Sequence, residues 1–341
     1  MYNKIEYISP SSFCYWEKCP LKGLYSKTYK DKKLFPKHPD ADIGTLIHNF
    51  YEKHREWKIT STELFNAKWE QEINYINENY KRSLLQNRYY PVQWHSKFYA
   101  VKKQQLCSNI LKSVSIHNYS SNKKTVVYEE WINNHYIGGY IDLVVRDGDI
   151  IKQIVDFKTG SIFEIVNNRK IIKEVYLQQL ALYCAIISER QSVMPELYLE
   201  TLNGHKHQIN IHIDAVKEIA KRALNLKDKI NKAVEENNIK SLAHCNDENC
   251  VNCNYRMFCE DYKDLFLNER CGKRIDLKGE VRQVDSNEIL FDTGDNLYII
   301  KNIKELKGLL EGVEFSIYGL FYPEEAELIL YSMDNTIVYN E

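Results

Sequence analysis

The chain has 341 residues, 44% of them hydrophobic and 27% charged, with a formal net charge of −1. Such a chain can bury a sizeable core, and at ~100 to 200 residues per domain its length suggests one large and one small domain, with no internal repeat or low-complexity linker. Nine cysteines, an odd number, with no secretory signal and no apolar run near the ~20 residues that span a bilayer, exclude a disulfide framework and a membrane segment, and point to reducing cytoplasm.

In chain order, the first candidate feature is Cys19, followed by Pro20 in an aromatic segment near the start. A helical stretch expected from about Asp42 to Trp57 carries Gly44-Thr-Leu-Ile-His48. The polar, aromatic region from Ser61 to Tyr119 is expected to be helical too. Three segments rich in β-branched and aromatic residues follow, at 124–132, 135–146 and 150–157, separated by the turn signals Asn133-Asn134 and Asp147-Gly148-Asp149. They predict a three-stranded antiparallel meander.

The second and third strands carry Gly139-Tyr-Ile-Asp142 and Asp156-Phe-Lys158. A three-residue loop at Asp147–Asp149, with Gly148 in a left-handed conformation, would set Arg146 opposite Ile150 and Asp142 opposite Ile154. Asp142, Asp156 and Lys158 then share one face, while Ile141, Leu143, Val145, Ile151, Val155 and Phe157 form an apolar face. A two-residue loop would separate the two aspartates, so the pairing needs an odd loop or a bulge. Two carboxylates and the Phe157 carbonyl make an oxygen-rich nest for Mg²⁺ or Mn²⁺, and Lys158 can orient or help deprotonate an attacking water and offset charge on phosphorus. A solvated hairpin with ordinary surface Asp and Lys is the bland alternative.

Further along, Tyr176-Leu-Gln178-Gln179-Leu-Ala-Leu-Tyr183 lies in a helical stretch, with Gln179 and Tyr183 on one face at i, i+4. Cys250, Cys253 and Cys259 form a compact C-x2-C-x5-C run, and thiolates so close bind soft metals. Cys14, Cys107, Cys184 and Cys271 read as ordinary small apolar residues. Beyond about Arg270, strands are expected at Arg274–Val284, Glu288–Phe291, Leu297–Ile300, Glu314–Phe321 and Glu327–Ser332, with a helical piece at Ile303–Leu310. That order suits an OB-type barrel, on which Tyr298, Tyr318, Phe321 and Tyr322 could stack bases. Residues 271–341 carry a net charge of −7, leaving +6 on the first 270. An acidic barrel suits docking against the first domain or a protein partner better than nucleic acid.

Taken in order, GxxxH at Gly44–His48, GxxD at Gly139–Asp142, DxK at Asp156–Lys158 and QxxxY at Gln179–Tyr183 resemble the RecB-like branch of the PD-(D/E)xK nucleases, which includes the AddB nuclease domain and the CRISPR-associated RecB-like exonucleases. The resemblance covers residues 9–262. It implies an α/β restriction-endonuclease-like core with a mixed central sheet flanked by helices. Residues 1–270 would form this domain, with a helical insertion at about 58–120, and residues 271–341 an acidic OB-like β-barrel. His48 would be a further metal ligand beside Asp142 and Asp156, and Lys158 the catalytic lysine. Gln179 with Tyr183 would position substrate and lysine, Gln178 being the one-residue alternative. The insertion would cover the active site, where Lys81, Arg82, Arg88, Tyr89, Tyr90 and Trp94 could guide a strand. In iron-sulfur members a cysteine before a proline joins the late trio, so Cys19, Cys250, Cys253 and Cys259 would hold a [4Fe-4S] cluster. Structural Zn²⁺, with Cys245 replacing Cys19, is the competing reading.

The expectation is a Mg²⁺- or Mn²⁺-dependent deoxyribonuclease, an exonuclease on single-stranded DNA or DNA ends in recombination, repair or defence. No GxxxxGK[ST] string occurs, so unwinding would need a helicase partner, reached through the acidic C-terminal domain. A noncatalytic nucleic-acid-binding or scaffolding protein keeping this fold is the second reading. The abundance of Lys, Asn and Tyr suggests an AT-rich genome, bacterial or viral.

Overall fold

The computed structural model describes residues 2–30, 35–117, 124–303, 308–324 and 326–340. Its contacts group the chain into a larger unit, Lys4–Glu17 with Lys37–Lys232, and a smaller one, Met1–Asn3 with Lys18–Pro36 and Ala233–Glu341. Helices α1 (Phe13–Lys18) and α2 (Pro20–Thr28) are parted at Cys19, because Pro20 has no amide hydrogen and suits only the first turn of a helix.

In the larger unit, α3 (Pro39–Lys53), α4 (Thr62–Arg82), α5 (Val92–His95) and α6 (Tyr99–His117) precede the sheet. Residues 118–120 of the expected helical insertion lie outside the described residues. Strands β1 (Lys124–Asn133), β2 (Gly138–Asp147) and β3 (Ile150–Lys158) form the expected antiparallel meander. A β4–β5 ribbon (Phe163–Val166, Arg169–Ile172) leads to α7 (Glu174–Ser188). Strand β6 (Glu196–Thr201) then returns parallel to β3, and β7 (Lys206–Ile209) pairs antiparallel outside it, giving a mixed sheet in the order β1-β2-β3-β6-β7. Helix α8 (Ile213–Glu235) follows.

The two sheet faces are covered differently. Val155 and Phe157 of β3 bury against Ile43, Ile47 and Phe50 of α3, Phe65 and Trp69 of α4, and Leu106 of α6. The spacing of these helical residues places them on one stripe of each helix. Helix α7 is buried all round from Gln178 to Ile187, as expected of a helix whose apolar residues leave no polar face.

In the smaller unit, α9 (Asp247–Cys250) and α10 (Glu260–Phe266) precede β8 (Arg270–Cys271), β9 (Arg274–Val284), β10 (Glu288–Asp292), β11 (Leu297–Lys301), β12 (Glu314–Phe321), β13 (Ile329–Tyr331) and β14 (Ile337–Asn340). The β12–β9 pairing closes β9-β10-β11-β13-β12 into a five-stranded barrel, with β11 and β13 parallel. Its core includes Ile275, Leu277, Val281, Phe291, Ile317 and Leu330. Residues 304–307 of the expected helical piece lie outside the described residues. Tyr298 and Tyr318 are 5% and 4% exposed. They belong to the interior, which removes them as base-stacking candidates; Phe321 and Tyr322 remain half-buried.

Candidate active site and cysteine site

The β2–β3 hairpin closes with a two-residue loop, Asp147 pairing Ile150 and Arg146 pairing Ile151. Gly148, at φ 59°, occupies the first loop position, where left-handed backbone suits glycine. Beyond it the register shifts, Val145 facing Gln153, so that Lys152 is an extra residue on β3. The expected three-residue loop is therefore replaced by a short loop and a bulge. Leu143 pairs Val155, which sets Asp142 opposite Asp156 rather than Ile154, on one face. Ile151 pairs Arg146 and leaves the expected apolar face, because the bulge reverses the alternation there.

Asp142 Oδ2 accepts a hydrogen bond from the Phe157 amide at 2.6 Å, and its Oδ1 lies 3.3 Å from His48 Nδ1. The Phe157 group drawn to this carboxylate is thus its N–H. The ring of Phe157 stacks on Tyr51 at 4.2 Å between centroids, holding the strand end against α3. Asp156 is 2% exposed. Its Oδ1 accepts from Gln179 Nε2 at 2.7 Å, and its Oδ2 forms an ion pair with Lys158 Nζ at 2.5 Å. Lys158 donates to Gln179 Oε1 at 3.1 Å and lies 4.6 Å above the Tyr176 ring. Gln179, not Gln178, is the glutamine that bridges acid and lysine; Gln178 bonds Glu174 instead. Tyr183 donates to the Tyr140 carbonyl at 2.5 Å. Gly139 makes room for this approach, since a Cβ there would meet Pro10 at 2.9 Å and Tyr183 at 3.4 Å.

One member of the site escaped the sequence reading. Glu129 stands on β1 where the ladder skips from Tyr128–Leu143 to Glu130–Ile141, with its backbone in the left-handed region at φ 49°. Non-glycine residues seldom adopt that conformation, and such outliers gather at functional sites. Ligand-type atoms of Glu129, His48 and Asp142 all lie within 4.8 Å of one another. The adjacent Glu130 pairs with Arg146, so the sequence signal was a doubled acid between the apolar runs Val126–Tyr128 and Trp131–Ile132.

The electrostatics are those of crowded acids. Burial and then Asp142 raise the Glu129 carboxyl to about 7, and the same two causes raise Asp156. Burial opposes charge on His48 and Lys158, but Asp142 and Asp156 respectively outweigh it, so both bases are held above their ordinary values. Glu129, Asp142 and His48, with ligand-type atoms within 4.8 Å of one another, fit a hard divalent cation, which would relieve the repulsion; buried Asp156 lies outside that group.

All five candidate cluster cysteines line one small cavity in the smaller unit. Cys245 Sγ is 3.7 Å from Cys259 Sγ. Hydrogen bonding from Cys245 holds the Cys250 and Cys259 thiols below their ordinary values, whereas burial pushes Cys253 up to about 11. Cys245 thus sits among the trio, and the cavity is lined by one thiol more than a four-ligand site would use. The donor set is soft and suits iron-sulfur or zinc. Cys184 and Cys271 are buried, as ordinary apolar residues would be.

Among the described residues no helix is long and apolar enough to cross a membrane. A family model described as the PD-(D/E)XK nuclease superfamily matches residues 7–260. No curated protein matches the chain. Among solved structures, it is similar to one described as a candidate exonuclease from Eubacterium rectale, at 13% identity and a TM-score of 0.34, over 66% of this chain and 82% of that one.

Proposed function

The chain belongs to the PD-(D/E)XK nuclease superfamily, and from that membership we propose that it is a Mg²⁺- or Mn²⁺-dependent deoxyribonuclease of the RecB-like iron-sulfur branch. The observation that carries the reading is the bulge that sets Asp142 opposite Asp156 and beside His48, with Lys158 on the same face. His48, Glu129, Asp142 and Asp156 would hold the ion, with the Phe157 carbonyl as a further oxygen. Bound there, the ion would supply positive charge to the scissile phosphate and make water acidic enough to attack it.

The protein's own groups do the rest. Lys158, whose charge Asp156 and Asp142 favour, would offset negative charge developing on phosphorus and orient or help deprotonate the attacking water. Gln179 fixes the lysine and Asp156 at a set spacing, and Tyr183 pins the β2 backbone two residues before Asp142. The preferred substrate is single-stranded DNA or DNA ends, cut as an exonuclease in recombination, repair or defence. Cys19, Cys250, Cys253 and Cys259 are the proposed [4Fe-4S] ligands, with zinc and Cys245 as the alternative that the 3.7 Å Cys245–Cys259 contact favours. The strand order of residues 271–341 supports an OB-like domain, whose charge of −7 suits a basic protein partner such as a helicase.

End-labelled single- and double-stranded DNA incubated with Mg²⁺ or Mn²⁺ tests the activity. Lys158→Ala should slow cleavage by about 10²- to 10³-fold or more while DNA remains bound. Bound DNA with no Lys158-dependent cleavage would instead favour the noncatalytic binding or scaffolding reading. Iron, sulfide and zinc analysis after anaerobic purification decides the cofactor, and stoichiometric zinc without sulfide rejects the cluster. Colour lost in Cys19→Ser but kept in Cys245→Ser would identify the ligands.

A further inference from the structure

Between Glu78 and Glu129 the sequence has no acidic residue but nine Lys and Arg, in a chain of net charge −1. Where these cations are paired, the acids come from elsewhere, as in Lys103 with Glu70 at 2.8 Å and Lys102 with Asp40 at 2.7 Å. Lys81 and Lys97 are exposed. Trp94 is 81% exposed and Phe98 77%, whereas Tyr89, expected to face a strand, is buried at 5%. Isolated exposed apolar residues are ordinary. Here two aromatic rings four positions apart flank Lys97, and Phe98 is held at φ 56°, where a bulky side chain rarely sits.

Asn77 holds the start of this segment at Val92 and Gln93, and one carboxylate holds its middle. Asp40 Oδ1 accepts from Ser96 Oγ at 2.7 Å, the Lys97 amide at 3.0 Å and Lys102 Nζ at 2.7 Å. Asp40 also lines the cleft that contains His48 and Glu129. The exposed rings are therefore tethered to the rim of the candidate active site by a fixed anchor.

We infer that residues 92–102 form a stacking platform for single-stranded nucleic acid, delivering the strand to the cleft; the inference rests on the nuclease reading and names the form of its substrate. Unpaired bases offer their faces to Trp94 and Phe98, and the acid-free stretch attracts the phosphates between them. A duplex keeps its base faces stacked inside and gains only the second interaction. The charge pattern selects a polyanion over an apolar protein surface as the occupant.

The test is fluorescence anisotropy with full-length protein in EDTA, comparing labelled oligothymidine with a hairpin duplex. The wild type should prefer the single strand, and Trp94→Ala with Phe98→Ala should weaken that binding by about tenfold or more. Trp94→Phe should retain most of it, and melting temperature should hold because both rings are exposed. Should the double variant misfold, Trp94→Ala against Trp94→Phe makes the same comparison. Unchanged oligothymidine binding in folded variants, a preference for duplex, or no nucleic-acid binding by the wild type overturns the platform. Cleavage in Mg²⁺ is read separately: binding without cutting defeats the nuclease reading alone, and cutting with unaffected variants defeats the platform alone.

Discussion

The carboxylate centre and the cysteine site both gather ligand-type side chains, but by opposite means. In the larger unit a β-ladder does the placing: one extra residue, Lys152, decides that Asp142 and Asp156 share a face. In the smaller unit the thiols lie on short helices and turns, α9 being only four residues long. The turn between Cys253 and Cys259 is held by Arg256, which bonds the Cys253 carbonyl at 2.9 Å and the buried Asp276 on β9. A ladder can hold like charges together before any ion binds, at an electrostatic cost. Turns need cross-links of their own, and here the cross-link is a buried ion pair joining the cysteine segment to the barrel.

Breaking that cross-link should have the largest effect on stability. Arg256 and Asp276 are 3% and 1% exposed, and Tyr262 and the Gly319 amide also bond Asp276. Arg256→Ala leaves Asp276 buried without its cation and should cost about 3 to 5 kcal/mol in urea unfolding. The same variant should purify with less iron or zinc. An unaltered unfolding midpoint would mean that the turn and the barrel are energetically independent.

At the carboxylate centre the corresponding change is gentler. Glu129→Gln keeps the shape and removes one charge, so the divalent-ion concentration for half-maximal cleavage should rise about 10- to 100-fold with little change in melting temperature. An unchanged metal requirement would remove Glu129 from the ligand set and leave its left-handed backbone unexplained.

The smallest effect is a pH dependence. Glu129 is raised to about 7 and Asp156 is also raised, so between their unfolded values of ~4.3 and ~3.9 and their folded ones the native state holds protons that the unfolded chain has lost. Metal-free protein should therefore lose stability as pH rises through that window. His48, raised above its ordinary value, adds stability at low pH that is lost as pH passes its folded pKa, in the same direction. Excess Mg²⁺ should flatten the trend. Melting temperatures measured with EDTA and with Mg²⁺ check both halves; a metal-free melting temperature that rises with pH over this window would contradict the crowding of these acids.

Much of the architecture was legible because its signals are local. Strand alternation located β1, β2, β3 and most of the barrel strands within a few residues, since burial of one face imposes a period of two. Helical spacing likewise placed His48, Gln179 and Tyr183. Even the need for an odd loop or a bulge followed from residue parity, although the choice between them did not. That choice depends on how β3 is drawn into the sheet between β2 and β6, which no hairpin signal encodes.

By itself, then, the sequence determined which elements form and which residues recur at metal-binding and helical spacings, because those are properties of neighbours along the chain. Only the tertiary structure decided that Glu129 joins His48 and Asp142, that Gln179 rather than Gln178 bridges Asp156 and Lys158, and that Cys245 sits with Cys259. It also buried Tyr89, Tyr298 and Tyr318 while leaving Trp94 and Phe98 in solvent. The physical reason is common to all of these. Each depends on what packs across a sheet, a turn or a barrel wall from residues distant in sequence, and an aromatic or acidic side chain looks the same in the chain whether its partner is a protein core, an ion or water.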